Sequence, residues 1–122
     1  MSEVPDPLRR VNVLLEATFM AHETIYDLHR RLVSLDRATL TSQDLLAESA
    51  QIALQRTPEA TAAVRRLASR WHEQSVLNPE AAERTALELE QQLTATEVVL
   101  QELLVRETAI VTKLRALVAE SG

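Results

Sequence analysis

Glycine is almost missing from this chain: there is one in 122 residues, and it is Gly122. Hairpins and phosphate-cradling loops need backbone angles that other residues avoid, so their usual builder is absent. Walker and Rossmann glycine motifs are excluded outright. There is no cysteine, which removes disulfides, thiolate zinc sites and cysteine nucleophiles from consideration. The aromatic residues are Phe19, Tyr26 and Trp71 alone. No apolar run reaches the roughly 18 residues that a membrane-spanning helix needs. The opening MSEVPDPLRR has neither the basic start nor the apolar core of a secretory signal, so a soluble, cytoplasmic protein is expected.

What remains is rich in Ala, Leu, Glu, Arg and Gln, the residues that sit most easily in helices. The fold class expected is all-α, a single domain over 1–122 with residues 1–6 as a disordered tail. The net charge of −5 is placed unevenly. Between Glu80 and Glu107 stand seven glutamates (80, 83, 88, 90, 97, 102, 107) against Arg84 and Arg106, and 2 − 7 = −5 accounts for the whole excess. Nucleic acid would require a concentrated basic stripe. Arg9-Arg10, Arg30-Arg31 and Arg65-Arg66-Arg70 are local groups at helical spacing and read as solvated flanks. No helix joins a strongly basic face to aromatic anchors, so neither nucleic acid nor a membrane surface is expected as a partner.

Apolar residues recur at Val11, Leu14, Ala21, Ile25, Leu28, Leu32 and Leu35, with Thr18 in the one vacancy. Steps of three and four mark one helix face. With Pro5, Pro7 and Asp6 at its start, the spacing predicts a helix over about 7–38. Thr41 and Asp44 then read as a capping box. A second seam follows at Leu46, Ala50, Ala53, Thr57, Ala60, Val64, Leu67 and Trp71, predicting a helix over about 42–76. Pro58 falls inside it, and proline removes a backbone donor and crowds the preceding turn. Because the heptad phase runs through Pro58 without a slip, two collinear halves or one kinked helix are expected. Asn78 as cap and Pro79 at the first helical position open a third helix, about 79–120. Its seam is Ala82, Ala86, Leu89, Leu93, Thr96, Leu100, Leu103, Glu107, Ile110, Leu114 and Leu117. Short connections make neighbours antiparallel, giving an up-down-up bundle of three long helices with coiled-coil-like packing.

Two of the three histidines and the only tyrosine share the stretch HETIYDLH. His22, Tyr26 and His29 lie on one helix face, with Leu15, Phe19 and Val33 extending the stripe. Histidines seven apart are separated by about 10 Å along the axis, too far to share one metal ion. Pairing about the first turn puts His22 level with Glu59 and His72 level with Arg9, some 20 Å apart. The stripe therefore reads as the margin of the core, rings inward and polar tips in water. Glu107 inside an apolar seam needs a partner or an outlet. It is expected at a seam edge reaching solvent, or else as a polar residue fixing register, with Arg30, Arg31 or Arg56 at similar heights. Thr96 can bond back to its own helix, and Trp71 reads as a core anchor.

No catalytic constellation, cofactor site or metal site emerges, and no small-molecule substrate is expected. The expected function is a non-enzymatic protein-interaction module, an adaptor or complex subunit that binds through apolar helix faces. The residues expected to meet a partner, possibly a second copy, are Leu15, Phe19, His22, Tyr26, Leu104, Val111, Leu114, Leu117 and Val118. The last three belong to a C-terminal end expected to extend past the second helix and dock on another chain. The general plan, small, acidic and glycine-poor with long helices, resembles small bacterial export chaperones and eukaryotic coiled-coil complex subunits. That likeness is of plan and not of motif. The contrasting class is a small bundle enzyme or ligand sensor using His22, Tyr26 and His72.

Overall fold

The computed structural model describes residues 6–77 and 79–121, without the side chains of 74–77, 79–83, 85 and 121. The expected tail over 1–6, apart from Asp6, and the Asn78 cap lie outside the described residues. Regular structure is all helical among the described residues: α1 (Asp6–Ser34), α2 (Leu40–Gln51), α3 (Thr57–Leu77) and α4 (Pro79–Ser121). A π-helical turn, Ile52–Arg56, joins α2 to α3, so these two make one long span. Three helical spans pack together, and α4 forms the most extensive contacts, first with α1 and then with α3. No helix is long and apolar enough to cross a membrane among the described residues.

The boundaries differ from expectation for local reasons. α1 stops at Ser34 and not near 38. Arg37 N–H donates to Leu32 C=O and Asp36 N–H to Val33 C=O, with Asp36 at φ 56°. That is the left-handed C-terminal cap that glycine usually fills. α2 is capped two residues earlier than expected. Thr39 Oγ1 accepts from Ser42 N–H at 3.1 Å while Ser42 Oγ accepts from Thr39 N–H at 2.8 Å, so the box is Thr39/Ser42 and not Thr41/Asp44.

The seam on the second span also departs from the sequence pattern. Inside are Ser42, Leu45, Ser49, Ile52, Thr57, Ala60, Val64 and Leu67, whereas Ala50 is exposed and Leu46 and Ala53 are half-buried. The phase does slip by one residue, at the step of five from Ile52 to Thr57. The π turn absorbs it: Thr57 N–H bonds to Ile52 C=O, five residues back. The wider turn also supplies the room that the Pro58 ring would lack in a regular helix.

Two apolar clusters make up the core. One holds Leu8, Val11 and Leu15 of α1, Ile52, Ala60, Val64 and Leu67 of the second span, and Leu89 to Leu103 of α4, with Trp71 packed beside it as expected. The other holds Ile25, Leu28, Leu32, Leu45, Ile110 and Leu114, with Val111, Leu117 and Val118 packed against it. The C-terminal end is therefore core. Leu114 is 0% exposed, which removes it from the surface expected to dock on a second chain, while Leu117 and Val118 are half-buried against this cluster. Leu15 is likewise buried and cannot serve as a contact residue. Thr18, in the vacancy of the α1 seam, is buried and donates to Leu14 C=O at 2.7 Å. Thr96 donates in the same way to Gln92 C=O at 2.9 Å.

Candidate functional site

Between the two apolar clusters lies a polar layer. Glu107 of α4 is 0% exposed, so neither the seam-edge position nor an arginine partner describes it. His22 Nδ1 stands 3.0 Å from Glu107 Oε2, and Ser49 Oγ donates to the same carboxylate at 3.2 Å. On the other side of the ring, Nε2 stands 3.4 Å from Thr57 Oγ1. With Nδ1–H donating to Glu107, Nε2 accepts from the Thr57 hydroxyl in the neutral ring and donates to it in the protonated one. All four helices supply this layer, His22 from α1, Ser49 from α2, Thr57 from α3 and Glu107 from α4, and the π turn positions two of its members. Ser49 stands just before that turn and Thr57 just after it, and the extra residue brings both onto the inner face beside His22.

Carboxylate, imidazole and hydroxyl in sequence resemble the parts of a nucleophilic relay, but the surroundings do not complete one. Thr57 is buried, and the backbone N–H groups around it belong to continuous helix, so none is free to stabilise an oxyanion. No group of three or more acidic, histidine or cysteine side chains able to hold a metal occurs among the described residues. The arrangement suits a structural layer that satisfies its own polar atoms.

His22 itself is 14% exposed, not a residue with its tip in water, and it forms the floor of an open trough. One hollow of about 500 Å³ is lined by His22, Ile25, Tyr26, Leu46, Ala50 and Leu54, with Glu23 and Asp27 at the α1 lip. A second of about 470 Å³ is lined by Phe19, Thr57, Pro58, Ala62 and Arg65, and Ala53 borders both. The trough runs between α1 and the α2–α3 span, whose contact with each other is less extensive than the contact each span makes with α4. Phe19, Tyr26 and Leu54 stand around it at 53%, 56% and 78% exposure. Arg30 lies over the Tyr26 ring, 5.9 Å from its centre.

Of the residues singled out from sequence, Phe19, His22 and Tyr26 come together at this trough. Leu104, Val111, Leu117 and Val118 do not; they lie half-buried on α4, the last three against the second core cluster. His29 is half-buried, and its Nε2 is enclosed without a hydrogen-bond partner among the described residues. His72 lies fifteen residues beyond Thr57 on α3, about 22 Å along the axis, so it does not join His22 and Tyr26. Sequence reasoning placed Thr57 in the inner seam, where it is buried, but did not pair it with His22, and it missed Ser49 and Leu54. A signal for Ser49 was present, because Glu107 and Ser49 lie twenty-nine residues on either side of position 78, the turn between the second and third helices. Leu54 gave none, since its exposure depends on the phase slip at the π turn.

Comparison with protein-family models, with curated proteins and with solved structures finds no match for this chain.

Proposed function

We propose that this chain is a non-enzymatic protein-interaction module, an adaptor or chaperone-like subunit working in the cytoplasm, and that the trough between α1 and α2–α3 receives an apolar helix of a partner. The observation that carries this reading is the exposure of Phe19, Tyr26 and Leu54 around two adjoining open hollows with the hydrogen-bonded His22 between them. A helix laid there would cover all three side chains and convert three packed spans into four. The framework for this reading is a single up-down-up bundle with coiled-coil-like packing. Two sets of contacts support that order. Arg10 meets Glu97 and His22 meets Glu107, so positions on α1 and α4 rise together. Glu48 meets Arg106 while Leu67 and Arg70 share a hollow with Gln92, so positions on the second span and α4 run oppositely.

A photo-crosslinking side chain introduced at Leu54 in the producing cells tests the reading. A defined protein adduct is expected there, none from the same group at exposed Glu73, and loss of the Leu54 adduct on Phe19→Asp. No adduct at Leu54, or one indifferent to Phe19→Asp, overturns it. A ligand-sensor reading, with His22 and Tyr26 lining the same hollow, would be favoured instead if a small apolar molecule co-purified with the chain and was lost on Leu54→Asp.

A further inference from the structure

The outward side of α4 carries a second surface, remote from the trough. Positions 87, 91, 94, 98, 101, 105, 108 and 112 follow alternating steps of four and three, the spacing of a helix face that meets another helix. They read Leu, Gln, Thr, Val, Gln, Val, Thr, Thr, without one charge, in a chain where 25% of residues are charged. The stripe is about 38 Å long, ends at Arg84 and Arg115, and lies opposite the buried Leu89, Leu93, Leu100, Leu103 and Ile110. Leu87, Val98 and Val105 are 59%, 50% and 69% exposed. Thr94, Thr108 and Thr112 donate their hydroxyls to the carbonyls of Glu90, Leu104 and Thr108, so each hydroxyl proton is satisfied within the helix.

The charges beside the stripe identify what covers it. Its N-terminal half is flanked by Glu88 and Glu90, with Arg84 at its end, and its C-terminal half by Arg106, Lys113 and Arg115, with Glu102 near the middle. A second α4 laid alongside in the same direction sets like charges against like. Reversed, it brings Glu88 and Glu90 toward Lys113 at both ends at once, which outweighs the approach of Arg84 to Arg115 there. The flank formed by the second span follows the same rule. Arg66 and Arg70 lie beside Gln92 and Ala95, and Glu48 beside Arg106, so reversal sets basic against acidic there too. The stripe is symmetric under this operation, with 87 opposite 112, 94 opposite 105 and 98 opposite 101. We infer that the outward face of α4 is a two-fold, antiparallel interface between two copies of this chain.

The absence of cysteine gives a direct test of register. Thr94→Cys and Val105→Cys proteins are mixed and oxidised, and the unsubstituted chain is weighed by sedimentation equilibrium at sub-millimolar concentration. A dimer is expected, with the mixed 94–105 disulfide exceeding both symmetric products. Lys113→Glu should weaken association at least about threefold, and mixing with a Glu88→Lys, Glu90→Lys copy should restore it. Val105→Glu should give a monomer of unchanged helicity. A monomeric parent chain, a dominant 94–94 product, or association indifferent to the charge reversals overturns the inference.

Discussion

A carboxyl group without solvent contact costs free energy unless its oxygens are occupied, and at Glu107 His22 and Ser49 occupy them. Glu107→Ala leaves an imidazole and a hydroxyl facing a void and should cost about 3 kcal/mol in urea unfolding. Replacing the group together, by Glu107→Leu with His22→Leu and Ser49→Ala, should return stability to within about 1 kcal/mol of the parent, because apolar packing of similar volume substitutes well for a buried pair. A cost for Glu107→Ala well below 1 kcal/mol would mean that the layer stabilises nothing. From sequence, Glu107 stood out as a charge inside a largely apolar seam, but an outlet to solvent was expected before a partner, and its complete burial decides for the partner. The identity of that partner was not legible, because long-side-chain arginines were weighed and a serine one helix away was overlooked. His22 looked like a margin residue because Ser49 lies outside the apolar seam read from the sequence, and Thr57, although placed in that seam, was not matched to a polar partner.

At the scale of the element, helix count and approximate extent were readable, because steps of three and four are strong signals and Pro58 and Pro79 punctuate them. The phase within the second helix was not. Ala50 and Ala53 mimic a regular seam on one side of Pro58, and the true inner face, Ser42 to Ile52, contains two serines that a hydrophobic pattern passes over. The π turn reconciles Ile52 with Thr57 by one extra residue and makes room for the proline ring. These two roles can be separated. Deleting exposed Gln55 alone removes the extra residue and drives Pro58 into the carbonyl one regular turn back, which should cost about 3 kcal/mol. The same deletion with Pro58→Ala should form a regular helix with the core face preserved, within about 1 kcal/mol of the parent. Pro58→Ala by itself should change little, since packing of Ile52 and Thr57 still demands the extra residue. Urea unfolding with far-ultraviolet circular dichroism distinguishes these outcomes, and equal stability of the two deletion variants would remove Pro58 from the account.

For the whole molecule, the polar layer divides one core into two clusters of unequal size. The smaller is closed at its end by Leu114, with Leu117 and Val118 packed on it. Ending the chain after Lys113 removes all three. Losing a fully buried leucine and its neighbours should cost more than about 3 kcal/mol, the range for deleting a large core side chain. How that loss spreads tests the division. Ile25, Leu28, Leu32 and Leu45 lose their cover, while Leu8, Val64, Leu67, Leu93 and Leu100 keep every partner in their own cluster. If the layer at Glu107 acts as a boundary, amide hydrogen exchange in the truncated chain should speed up across residues 25–45 and 107–113. Protection should persist around 60–67 and 89–100, in the manner of separate cooperative units. Loss of protection throughout would mean that the two clusters form one cooperative unit and that α4 transmits the damage along its length. Unchanged protection at 25–32 would mean that Ile110 alone suffices to hold α1, contrary to the complete burial of Leu114.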